Sequence, residues 1–103
     1  YAELEQADQV DFYNGLEGYY SILGHNKKQE AIAVLIEKND HKIYVYQLDK
    51  GISQDKAATI SREKGASDID KITFGRYQDK PIWEVKSGNQ YYLVDFETGA
   101  VIQ

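Results

Sequence analysis

Apolar and polar positions alternate with a period of two along most of this chain, and a helical period surfaces clearly in one stretch. In "QVDFYN", residues 9–14, Val10 and Phe12 alternate with polar neighbours, as in a half-buried strand. "GYYSILG" (Gly18–Gly24) reads as a second strand with a glycine at each end. "EAIAVLIEKNDHKIYVYQL" reads as a hairpin turning at Asn39-Asp40. Placing Lys38 opposite His41 pairs Ile36 with Ile43 and Val34 with Val45 on one face. The other face then pairs Ala33 with Tyr46 and Leu35 with Tyr44. The opening "YAELEQA" reads as the end of a helix.

The helical period belongs to the second half. Ser53 is a good N-cap, because its hydroxyl can accept a bond from an orphan amide of the first turn. Asp55 sits where the helix dipole favours negative charge. Ala57, Ala58 and Ile60 form a narrow apolar stripe, and Gly65 is the expected stop. Three strands follow, "DKITFGRY", "PIWEVKS" and "QYYLVDF", with "AVI" as a brief fourth. A hairpin turn at Gly88-Asn89 sets Lys86 opposite Tyr91, Glu84 opposite Leu93 and Ile82 opposite Asp95. Trp83, Val85, Tyr92, Val94 and Phe96 then share the opposite, core-facing side.

Both halves thus run from a helix into antiparallel strands, and both close on an aromatic alternation ending in Asp and Gly. At roughly 50 residues per unit, this order predicts an α+β fold built from a duplicated module. The expected units are residues 1–49 and 50–103, each a helix packed on a curved antiparallel sheet of three to four strands. In the first hairpin the purely aliphatic face is expected to be core. The face carrying Ala33, Leu35, Tyr44 and Tyr46 is apolar but tolerates water at its hydroxyls. It either packs on the rest of the chain or serves as a partner-binding face.

Composition narrows the function classes. Residues 1–50 carry 5 Lys/Arg against 9 Asp/Glu, and residues 51–103 carry 7 against 8, so no basic cluster exists to hold nucleic acid or an anionic membrane. With no cysteine, disulfides, zinc–thiolate sites and thiol catalysis are excluded. The start at Tyr1 and the lack of methionine read as a processed product or fragment from which a targeting or anchoring segment was removed.

Catalytic chemistry finds little footing. His25 and His41 lie in polar segments that read as surface turns, without metal-ligand spacing. Glu84 and Asp95 are diagonal neighbours at about 7–8 Å, within the range of an inverting glycosidase pair. Lys86 on the same face compensates Glu84, and so small a domain offers little room for a sugar-sized cleft. The glycines match no phosphate-binding loop. No enzyme, cofactor or metal is therefore expected.

The last third resembles the PepSY module through Ala57-Ala58, Trp83-Glu84-Val85, Tyr91-Tyr92 and the Asp95–Gly99 turn. "FYNGLEGYYSILGHNKKQEAIAVLI" looks like the N-terminal unit of the YpmB/TseB-like proteins of Gram-positive bacteria. The resemblance implies two tandem cystatin-like units outside the cell, behind an N-terminal membrane anchor absent from this sequence. It implies a non-enzymatic regulator of cell-wall elongation acting on a protein partner, a penicillin-binding transpeptidase. The alternative it implies is a peptidase inhibitor of the propeptide type.

Overall fold

Seven strands and one α-helix follow one another among the described residues, 4–14 and 18–102, of the computed structural model. Strands β1 (Gln6–Asn14), β2 (Gly18–His25), β3 (Ala31–Glu37) and β4 (Ile43–Gln47) form one antiparallel sheet in chain order. A 3-10 turn at Leu48–Lys50 leads to α1 (Gln54–Glu63). Strands β5 (Lys71–Tyr77), β6 (Lys80–Ser87) and β7 (Gln90–Asp95) form the second sheet, again antiparallel and in order. The segment "AVI" adds only an isolated bridge, Val101 to Val94.

The registers follow the alternation. Ala33 faces Tyr46, Val34 faces Val45, Leu35 faces Tyr44 and Ile36 faces Ile43. In the second sheet Ile82 faces Asp95, Glu84 faces Leu93 and Lys86 faces Tyr91. The Ser53 hydroxyl accepts from the Lys56 amide at 3.0 Å, and Gly65 takes a φ of 115° just beyond the helix. Ala57 and Ala58 are buried where α1 lies on β6 and β7, and such short side chains let the helix approach the sheet closely. Beneath it, Phe74, Trp83 and Phe96 meet edge to face, with centroids 5.0–6.4 Å apart.

The architecture departs from two tandem helix-plus-sheet units. It is mostly sheet, and among the described residues one short helix serves the second sheet alone. Of the expected opening helix, residues 1–3 lie outside the described residues. Gln6 and Ala7 belong to β1, paired with His25 and Gly24, and the Glu5 amide donates to the His25 carbonyl at 2.8 Å. Helix propensities differ by only a few tenths of a kcal/mol per residue, so a strand partner within reach outweighs them.

In the first sheet the tyrosine-bearing face packs on the rest of the chain, one of the two readings open to it, whereas the aliphatic face expected to be core largely does not. The tyrosine-bearing face joins the common core, where Tyr13, Tyr19, Ala33 and Leu35 are buried in the same cluster as Phe74 and Trp83. The aliphatic face is enclosed only at Ile32 and Val34, whereas Val10, Phe12, Tyr20 and Ile43 on it are exposed. The cause is β5. Its successive side chains point to opposite faces of the second sheet, yet both sides meet the first sheet. Gly75 lies against the Tyr13 ring on one side, while Phe74 and Arg76 meet Tyr46 and Tyr44 on the other. Thus β5 inserts edge-on into the inner face of the first sheet, which covers an otherwise open sheet edge.

Candidate functional site

The edge-on insertion leaves an angle between β1 and the outer face of the second sheet. A cleft of about 620 Å³ occupies it. Its floor comes from alternate residues of three strands. Lys71, Lys86 and Tyr91 form one cross-strand row, and Thr73, Glu84 and Leu93 form the next. Tyr77 extends the floor along β5, and Phe12, Tyr13 and Asn14 form the wall. Gly75 makes this closure possible, because a Cβ there would lie 2.5 Å from the Tyr13 ring. Phe12 at the rim is held against Tyr20 at 5.1 Å, with the Lys38 ammonium 3.6 Å from its ring centre.

Charge is unevenly compensated around the cleft. Lys71 donates to Asp11 Oδ1 at 2.9 Å, and Gln9 donates to Asp11 Oδ2 at 2.6 Å. Burial alone would raise the Asp11 carboxyl, but these bonds and the Lys71 charge hold it below its ordinary value. Glu84 is half-buried, and its pKa is raised by that burial against the opposing pull of Lys71. The Tyr13 phenol is pushed up to about 12, first by burial and then by the charge of Glu84. Lys86 makes no ion pair or hydrogen bond with another described side chain.

The two carboxylates therefore have opposite pH signatures. A depressed pKa stabilises the fold above the ordinary carboxylate range and loses that contribution as pH falls through the folded value. A raised pKa contributes fully at low pH and loses its contribution as pH rises through the folded value. Asp11→Asn is expected to lower the urea midpoint at neutral pH, and Glu84→Gln to raise it. On acidification from neutral pH to about pH 3 the Glu84 difference should shrink first, as pH falls through its raised pKa, and the Asp11 difference last. Urea unfolding of the two variants across that range checks this, and shifts of the same sign at neutral pH would contradict it.

The other residues singled out from the sequence are dispersed. Asp95 is buried, and its Oδ1 accepts from the Glu97 and Thr98 amides at 2.8 and 3.1 Å, closing the turn that ends at Gly99. It belongs to a folding turn and does not line the cleft, where Glu84 is the only carboxylate among the described lining residues. His25 Nδ1 lies 2.7 Å from Asp8 on the far end of the β1–β2 hairpin, and His41 sits exposed in a turn at φ 58°. Among the described residues no three His, Asp or Glu side chains converge as metal ligands.

Ala33 and Leu35 are fully enclosed against the second sheet. Tyr44 and Tyr46 are half-buried around Arg76. The guanidinium stacks 4.0 Å from the Tyr44 ring centre, and its Nε donates to the Tyr46 hydroxyl at 3.2 Å. A partner could touch only the outer parts of these tyrosines. Burial would lower the Arg76 pKa, but bonds to Tyr19 and Tyr46 outweigh it and raise the value.

The cleft leaves more room than is expected of so small a domain. Alternation already placed Lys86 and Glu84 on one side of the second sheet. It carried no signal that β1, some sixty residues earlier, would wall that side.

Comparison with known proteins agrees with this architecture. Residues 1–37 match the model of the cell wall elongation regulator TseB-like domain. The chain is 36% identical over 109 aligned positions to "Probable cell wall elongation regulator TseB" of Bacillus subtilis (strain 168), covering 98% of this chain and 67% of that protein. Among solved structures, YpmB protein from Bacillus subtilis superposes with a TM-score of 0.83 at 33% identity, over 98% of this chain and 84% of that one. No helix among the described residues is long and apolar enough to cross a membrane. Identity at this level along nearly the whole chain, with the same fold, leaves one assignment: the chain belongs to the TseB-like family.

Proposed function

We propose that this chain is a non-enzymatic module that regulates cell-wall elongation from the outer face of the cell membrane, by binding a penicillin-binding transpeptidase. The observation that carries the regulatory role is the 36% identity, across 98% of the chain, to a protein named as a cell wall elongation regulator. The non-enzymatic part is supported by the cleft chemistry. Among the described lining residues Glu84 stands with lysines and tyrosines and no second carboxylate, and Asp95 is tied to backbone amides, so these residues assemble no carboxylate acid–base pair.

The experiment uses the membrane-anchored form as affinity bait against detergent-extracted cell membranes, with wall incorporation followed after gene deletion. Enrichment of a transpeptidase over a bait lacking this module is the expected result. Recovery of none, together with unchanged wall incorporation in the deletion, would overturn the proposal.

A further inference from the structure

We infer that the cleft between β1 and the second sheet is a binding site for a saccharide carrying a carboxylate, a site that neither the family match nor the regulatory reading requires. Four observations converge on that ligand chemistry. First, the cleft volume of about 620 Å³ falls within the range of small-ligand pockets. Second, two of the large exposed apolar side chains of the molecule stand on its border. Phe12 is 44% exposed and Tyr91 is 55% exposed, both lining the same cleft from different sheets. The Tyr91 ring offers stacking area for the C–H face of a pyranose, while Phe12, with Lys38 over its ring, adds an apolar edge at the rim.

Third, the floor carries one cation with an open valence. Lys71 is engaged by Asp11 at 2.9 Å, whereas Lys86 beside it in the cross-strand row has no described side-chain partner. A ligand carboxylate would complete Lys86 by a charge-assisted bond. Fourth, Glu84 is half-buried without a described hydrogen-bond donor, and Asn14 lies on the opposite wall. Sugar hydroxyl and N-acetyl groups supply donors to the Glu84 carboxylate and partners to the Asn14 amide.

The orientation of the site argues for a glycan over an extended peptide. A peptide added to a sheet needs the free backbone groups of a strand edge. The floor of this cleft is instead the face of the second sheet, where side chains alone are presented. The edge of β5 is covered by the first sheet, so only the outer edge of β1 at the wall keeps free backbone groups. Recognition on the floor has to come from rings and charged ends.

The test uses the purified 103-residue chain and no transpeptidase, so its outcome is separate from that of the regulatory proposal. The probe is the disaccharide of N-acetylglucosamine and N-acetylmuramic acid with its lactyl carboxylate free. Amide resonances are followed as the disaccharide is titrated to millimolar concentration. Shifts centred on Asn14, Glu84, Lys86 and Tyr91 are expected. Lys86→Gln should weaken binding about tenfold or more, the usual effect of losing a charge-assisted bond. Tyr91→Ala should weaken it as well. Lys56→Gln, the same charge change on α1 behind the sheet, should leave it unchanged.

Lys86 and Tyr91 are not core residues, so unchanged melting temperatures will show that these variants remain folded. The neutral disaccharide of N-acetylglucosamine should bind distinctly more weakly. Equal affinity for that neutral sugar, shifts mapping away from the cleft, a preference for an acidic tripeptide, or no shift at all would each overturn the inference.

Discussion

Trp83→Ala is expected to lower the unfolding free energy by about 3–5 kcal/mol, the range for deleting a large buried ring. Trp83 is 2% exposed and packs edge to face on Phe74 and Phe96, so its removal strips two aromatic contacts and leaves a cavity under α1. Its indole Nε1 also donates to the Ile52 carbonyl at 3.1 Å, at the junction between the 3-10 turn and the helix. That bond anchors the segment by which the chain passes from one sheet to the other. For a domain of this size each kcal/mol shifts the melting temperature by about 4–8 °C, so the loss should exceed 12 °C. Thermal and urea unfolding both report it. A cost below about 1 kcal/mol would mean that the ring is not enclosed in solution.

Gly75→Val is expected to cost about 3 kcal/mol, although valine is the better strand former. The sign follows from the close approach of the two sheets. Even a methyl group at residue 75 would lie 2.5 Å from two ring atoms of Tyr13, which is itself 1% exposed. Relief would require β1 to move off β5, which opens the cleft and the shared core together. A double-mutant cycle isolates the cause. With Tyr13→Ala in the background, Gly75→Ala should cost at least about 1 kcal/mol less than in the native protein, because ring and methyl then no longer compete. Additive costs would show that the sheets do not meet at this point.

The two substitutions probe different kinds of information. The environment of Trp83 was legible along the chain. The Gly88-Asn89 turn and strict alternation placed Trp83, Val85, Tyr92, Val94 and Phe96 together, and Phe96 indeed packs on Trp83. The role of Gly75 was not legible. Within "KITFGRY" it reads as a weakened strand position, and nothing nearby announces a tyrosine ring from residue 13. The helix at Gln54–Glu63 was legible through Ser53 and Gly65. The opening segment misled because its helix-forming composition is weaker than the hairpin ladder into which Gln6 and Ala7 are drawn.

For the cleft, the row Lys71, Lys86 and Tyr91 follows from period-two alternation and tight turns, which are properties of contiguous chain. The wall built by Phe12, Tyr13 and Asn14 does not. The first sheet shows why. Both of its faces are largely apolar, so alternation says which residues travel together and is silent on which set goes inside. The order of strands, their registers, the capped helix and the Asp95 turn were set by neighbouring residues in the sequence. The choice of the tyrosine face as interior, the burial of Ala33 and Leu35, and the existence of a cleft were decided only when β5 came to lie edge-on against the first sheet. Local hydrogen bonds and turn geometry act over a few residues. The packing of one sheet against another is a sum over residues far apart in the chain, and only the assembled structure performs that sum.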